Sequence, residues 1–255
     1  MLFRSETHMS DTRKVAIVGE ANSYSGPAIA LEMARRGFDL VLGDAQPGLV
    51  DELSALGARA VDVKGTDHLL EAEGSQRLVD AALAEFGRLD SATTATGIIV
   101  TGRFVNSKVE DLHKVMKGCI EVPYHFLRAV VPVMVERGSG QVLVQTSASG
   151  ARPTPGAPLY SSARAAANML VRNVASEVAG SGVQVNAVGT NFMDFPGFLA
   201  ANGVKDAESR ARVESQVPMK KLGSIEEFAS FCANFIDGSF TFTTGQFVAF
   251  AGGWV

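Results

Sequence analysis

The strongest constraint on this chain is the regular alternation of short apolar runs with helical periods along its whole length. Lys14–Gly19, Phe38–Gly43, Ala58–Val63, Leu89–Thr94, Gln141–Thr146, Val183–Val188 and Gln246–Phe250 read as strands. Between them, Pro27–Arg36, Val50–Leu56, Leu78–Phe86, Leu112–Val135, Tyr160–Val178 and Ile225–Ile236 carry helical spacing, with Pro123 and Pro132 as kinks or boundaries. Strands that alternate with helices on short links predict a parallel sheet with helices on both faces.

The predicted fold class is therefore α/β: a Rossmann-like, doubly wound parallel sheet. No composition break, repeat or low-complexity block divides the chain, so residues 13–255 read as one domain and residues 1–12 as a disordered tail. The tail lacks an apolar signal core, which predicts a cytoplasmic protein. With 23 basic and 27 acidic side chains the net charge is −4, so there is no basic surplus for nucleic acid or anionic membrane. The longest apolar run, Ala129–Val135, is far short of the roughly 18–20 residues that span a bilayer. Cys119 and Cys232 lie far apart and form no cluster with His8, His68, His113 or His125, so neither a metal nor a disulfide is expected.

Ligands of this fold sit at the carboxyl ends of the strands, and the first strand–helix turn normally holds a dinucleotide pyrophosphate. Here that turn runs from Gly19 to Pro27 with Tyr24 two residues before Gly26. A glycine is needed where the backbone must approach the pyrophosphate. A tyrosine there either blocks the phosphate site or sends the loop along a different path. Asp44, where a ribose-binding acid would stand, then reads as a solvent-facing turn residue.

The fifth strand leads into Ser147. Tyr160 follows thirteen residues later at a helix start, and Arg164 lies four further on, on the same helix face. A serine at a strand end can hydrogen-bond a substrate oxygen. A tyrosine near a fixed cation becomes a plausible base, because the charge favours phenolate. Arginine stays protonated and cannot itself shuttle the proton.

These residues resemble the short-chain dehydrogenase/reductase superfamily from Lys14 to Val255, with Arg164 where that superfamily has lysine. Thr94-Ala95-Thr96-Gly97 replaces its Asn-Asn-Ala-Gly, Thr190-Asn191 replaces its Pro-Gly, and its middle-helix asparagine is replaced around Glu121. The combination is similar to the halohydrin dehalogenases, whose motifs are Ser–x12–Tyr–x3–Arg and Thr–x4–Phe/Tyr–x–Gly. The first is complete at Ser147, Tyr160 and Arg164; the second keeps Tyr24 and Gly26 but has Gly19 for threonine.

That resemblance implies a cofactor-free lyase closing vicinal haloalcohols to epoxides, and reopening epoxides with azide, cyanide or nitrite. Ser147, Tyr160 and Arg164 would be catalytic; Tyr24, Thr190, Asn191, Phe192 and Met193 would hold the halide or small anion. Phe195 and Phe198 read as packing residues. The resemblance implies a homotetramer and no cofactor or metal. The runner-up is a divergent NAD(P)-dependent oxidoreductase acting on an alcohol or ketone, favoured by Gly19, Gly26 and Asp44. A catalytically silent binding subunit is the third reading.

Overall fold

The computed structural model describes residues 13–254, so the expected tail lies outside the described residues. Seven parallel strands, β1 (Lys14–Val18), β2 (Phe38–Gly43), β3 (Ala60–Val63), β4 (Ser91–Ala95), β5 (Gly140–Ser147), β6 (Val183–Thr190) and β7 (Phe247–Phe250), form one sheet. Their order is β3-β2-β1-β4-β5-β6-β7. The order therefore reverses between β1 and β4, which opens a crevice at their carboxyl ends.

Helices α1 (Gly26–Arg35), α2 (Leu49–Ala55) and α9 (Ile225–Ala233) cover one face of the sheet. Helices α3 (Ala72–Phe86), α5 (Val122–Arg137) and α6 (Pro158–Val178) cover the other. Strands buried on both faces need mainly apolar side chains, as in the all-buried β2, where the one charged residue, Asp39, accepts from the Arg59 N–H and pairs with Arg13. Strand β4 (SATTA) meets the same demand with small polar residues that are internally bonded. Thr93 donates to the Leu143 carbonyl at 2.8 Å and accepts from Gln145, whose own oxygen accepts from Ser25 at 2.5 Å. This buried chain of hydrogen bonds crosses from β4 through β5 to the start of α1.

The stretch expected as one or two helices over Leu112–Val135 begins earlier, as α4 (Val109–Met116), and continues through a π-helical turn, Lys117–Glu121, into α5. The wide turn brings Gly118 against the Ile98 backbone, where a Cβ would have no room. Pro123 falls in the first turn of α5, where its missing N–H costs nothing, and Pro132 is accommodated inside the helix. The 29-residue stretch Val109–Arg137 is apolar and long enough to cross a membrane, but half of its most apolar window is buried in the protein against α3 and β5.

After β6 the chain forms two helices that the apolar pattern did not signal, α7 (Pro196–Ala201) and α8 (Ala207–Glu214). The first starts at Pro196, and the second is capped by the Asp206 carboxylate accepting from the Ser209 N–H at 2.8 Å.

Candidate active site

Ser147 is the last residue of β5, and the register places it opposite Thr190, the last residue of β6. Its hydroxyl lies 3.4 Å from the Thr190 carbonyl and accepts from the Ser149 N–H at 3.2 Å. Tyr160 stands in the first turn of α6, buried, and among the described residues its hydroxyl makes no hydrogen bond. That leaves an unbonded phenol, and a serine hydroxyl whose long bond to the Thr190 carbonyl can be exchanged for one to a substrate oxygen, at the carboxyl edge of the sheet.

Arg164, one helical turn on, is 4% exposed. Its guanidinium lies 5.0 Å from the centroid of the Tyr160 ring. Nη1 donates to Thr96 Oγ1 at 2.8 Å, and Nη2 donates to the Thr96 carbonyl. Nε has no partner, and among the described residues no carboxylate lies within ion-pair distance. The cation is seated over Gly97, at φ 111°, where the absence of a Cβ leaves the space the guanidinium fills. Thr96, the residue that anchors Arg164, is the contributor that reasoning from sequence missed. Its segment departs from the superfamily pattern, but a carbonyl that will accept a hydrogen bond leaves no mark in the sequence.

Cys119, inside the π turn, approaches the Ile98 carbonyl with Sγ at 3.9 Å. Burial pushes its thiol up, opposed by the nearby Arg164 charge.

Tyr24 reaches across the crevice. Its backbone is left-handed, at φ 51°, and its hydroxyl donates to Thr190 Oγ1 at 2.7 Å. The ring packs on Phe195 at 4.8 Å and Phe228 at 6.2 Å between centroids. Burial pushes the phenol pKa well up, so it stays protonated as a donor. The structure thus brings Ser147, Tyr160, Arg164, Thr190 and Tyr24 to one edge.

The other residues expected to line an anion site point elsewhere. The Asn191 amide oxygen accepts from the Phe192 N–H, closing its own loop. Phe192 packs edge-on against Phe198 and Trp254. Met193 is buried in the core under α9.

This fold implies a nicotinamide dinucleotide, and the residues present do not fit one in its usual place. Glu20 puts a carboxylate into the first turn, accepting from Ser23 at 2.8 Å and lying 2.9 Å from His68 Nδ1. A pyrophosphate would meet this negative charge. The Tyr24 ring and hydroxyl fill the way to Thr190. Asp44, expected to face solvent, has both carboxylate oxygens engaged: it accepts from the Gly65 and Thr66 N–H groups at 2.6 and 2.7 Å, and from Thr66 Oγ1 at 2.7 Å. For a dinucleotide to bind there, Tyr24 must leave Thr190 and Glu20 must move. Among the described residues no cluster of His, Cys, Asp and Glu is placed to hold a metal ion.

Comparison with known proteins bears on the chemistry. The chain is 29% identical to a 3-oxoacyl-[acyl-carrier-protein] reductase of Synechocystis over 96% of its length and 98% of the relative's. It is 28% identical to the 2,5-dichloro-2,5-cyclohexadiene-1,4-diol dehydrogenase LinX of Sphingobium indicum, over 94% of this chain and 96% of that one. Among solved structures, acetoin dehydrogenase from Enterobacter cloacae superposes with a TM-score of 0.81 at 26% identity, covering 95% of this chain and 96% of that one.

These relatives are oxidoreductases, and they overturn the expectation of a halohydrin dehalogenase, a carbon–halide lyase interconverting haloalcohols and epoxides. The physical reason lies in what the motif reports. A serine and a tyrosine that hold a substrate oxygen do so whichever neighbouring bond then breaks, so their spacing does not choose between the two chemistries. The family model described as enoyl-(acyl carrier protein) reductase matches residues 19–255, and this chain belongs to that family within the short-chain dehydrogenase/reductase superfamily.

Proposed function

We propose that this chain is a divergent short-chain oxidoreductase acting on an alcohol or ketone, with the substrate oxygen held between Ser147 and Tyr160. The observation that carries the reading is the pair itself: a strand-end hydroxyl and an unbonded, buried phenol at the carboxyl edge of the sheet. The oxidoreductase relatives support the class.

Ser147 donates a hydrogen bond to the substrate oxygen and fixes its position. Tyr160 takes the hydroxyl proton of an alcohol, or gives its own to a ketone oxygen as charge develops there; the accompanying hydride would pass to or from a nicotinamide supplied as co-substrate, for which Tyr24 and Glu20 would first have to move. Arg164, held on Thr96, supplies a fixed positive charge next to the phenol ring; in this water-poor setting it stabilises negative charge developing on the substrate oxygen. It positions charge and transfers no proton.

The test is turnover of a panel of secondary alcohols and ketones, with NAD(H), with NADP(H) and without nucleotide, in the native chain and in Ser147→Ala and Tyr160→Phe. Nucleotide-dependent turnover that falls at least a hundredfold in Tyr160→Phe, the ordinary scale of a lost acid–base group, supports the reading. Turnover unaffected by both substitutions, or none with any nucleotide, overturns it.

A further inference from the structure

Ser147 and Tyr160 belong to different elements, the end of β5 and the first turn of α6, and the tight turn Ala148–Ala151 lies between them. Ser161, the residue after Tyr160, reaches back to this turn. Its hydroxyl donates to the Ser149 carbonyl at 2.5 Å and to the Arg152 carbonyl at 2.7 Å. A serine hydroxyl has one proton, so the two carbonyls share it and both ends of the turn are gathered at one point.

The turn passes this constraint on to Ser147. The Ser149 N–H donates to Ser147 Oγ at 3.2 Å, while the carbonyl of the same residue is held by Ser161. Ser149 is buried, so water replaces neither bond unless the turn opens. Two further ties lie on the same face of α6, three and seven residues on from Ser161. Gly150 packs so closely on α6 that a Cβ there would come within 2.9 Å of the Arg164 carbonyl oxygen. Thr146 Oγ1 donates to Asn168 Oδ1 at 2.8 Å, and both residues are buried. Ser147 is thus flanked on both sides by residues fastened to the helix that carries Tyr160.

We propose that Ser161 is a positioning residue, which acts through Ser149 to hold Ser147 at the separation from Tyr160 that one substrate oxygen bridges. The role rests on the alcohol or ketone reading above and adds to it a residue that touches no reacting atom. Groups at a reacting centre must be held within about 0.5 Å of the productive geometry, and a displacement of ~1 Å can cost a hundredfold in rate. Gly150 and Asn168 still hold the segment when Ser161 loses its hydroxyl, so the turn loosens without coming away. The expected fall in kcat is therefore about tenfold. KM changes by less than about twofold, because Ser147 and Tyr160 both remain to bind the oxygen and only their alignment in the transition state suffers.

The experiment compares Ser161→Ala, Ser161→Thr and Ser162→Ala, with whichever alcohol or ketone of the panel above the native chain turns over best. Ser162 is exposed on the same helix and controls for the loss of a helix serine. Ser161→Ala is expected to lose about tenfold in kcat at nearly constant KM. Ser161→Thr, which keeps the hydroxyl, recovers most of that loss, and Ser162→Ala stays at the native rate. In a Ser147→Ala background, Ser161→Ala should cost nothing more, because its effect runs through Ser147. The same loss in that background, or none in the native one, overturns the role. Exchange of the Ser149 amide, read by NMR, needs no turnover. It should quicken severalfold in Ser161→Ala and return in Ser161→Thr; unchanged exchange overturns the proposal whatever the kinetics. If no member of the panel turns over but exchange quickens, the alcohol or ketone reading falls and the tie from Ser161 to Ser147 stands.

Discussion

Gly97→Ala isolates the anchoring of Arg164, because a Cβ at this position would occupy the guanidinium's space. Two costs arise. The backbone at φ 111° lies where a side chain is strained, at about 1–3 kcal/mol. The guanidinium must also leave Thr96, giving up two hydrogen bonds from a charged group, each worth about 1.5–3 kcal/mol net. Partial rebinding offsets some of that loss, so the expected total is about 3–5 kcal/mol. Against a folding free energy of ~5–15 kcal/mol this is a large fraction, and for a chain of this size it lowers Tm by roughly 10 °C. Gly102→Ala is the matched control: its φ of 146° is also strained for a side chain, but its Cβ would point into open space. Urea denaturation of both variants, read by circular dichroism, separates the terms. If Gly97→Ala loses no more stability than Gly102→Ala, Arg164 is not held against Gly97 and the description of the cation's seat is wrong.

Three further outcomes are expected. Tyr24→Phe removes one hydrogen bond to Thr190 while keeping the ring packing, and should cost about 0.5–1.5 kcal/mol in denaturant midpoint; no change would mean that the bond adds nothing beyond what water supplies. Burial works against the charged form of Asp237, but the Ser239 N–H and hydroxyl and the Arg36 guanidinium outweigh it and hold the carboxyl below its usual range. Because its folded pKa is depressed, the stabilisation is present above the unfolded value of ~3.9 and is lost as pH falls through the lower folded value. Asp237→Asn should therefore flatten the acid limb of a stability–pH curve below about pH 4, and an unchanged limb would exclude that role. The exposed apolar residues Val109, Leu112, Met116, Tyr124 and Met169 on α4, α5 and α6 are expected to be the seam of a homotetramer. Light scattering should report four copies, reduced by Leu112→Glu; a monomer in the native protein would refute the seam.

The layered fold was legible because each buried strand must be apolar and each helix must present an apolar stripe, and both periods survive in the sequence. Strand β4 was the weakest signal, since its Thr93 is satisfied by Leu143 and Gln145 about fifty residues away and its Thr94 by the neighbouring Ala95 carbonyl. Helices α7 and α8 were missed because they are short and are fixed by Pro196 and the Asp206 cap rather than by an apolar stripe. In the site, the position of Tyr24 in the crevice and the sharing of one helix face by Tyr160 and Arg164 followed from spacing alone. The partners that define their setting did not. Glu20 is matched with His68 and Arg164 with Thr96, pairings separated by 48 and 68 residues. Asn191, Phe192 and Met193 were placed at the site by position along the chain, but a left-handed residue at Phe192 turns the loop and sends their side chains elsewhere. The reaction class was least legible, because a hydroxyl pair specifies the atom it grips and not the bond that changes.

The bond between Tyr24 and Thr190 also has a mechanical meaning. In a doubly wound sheet the two halves meet along the central strands, and the rim of the crevice is free to spread. Here a phenol from the loop between β1 and α1 is fastened to the end of β6, three strands from β1 in the sheet order. The rim is stapled, so the first turn and the loop after β6 move as one body. Amide exchange in the two segments should accelerate together when the staple is removed, although Tyr24 and Thr190 are 166 positions apart in the chain.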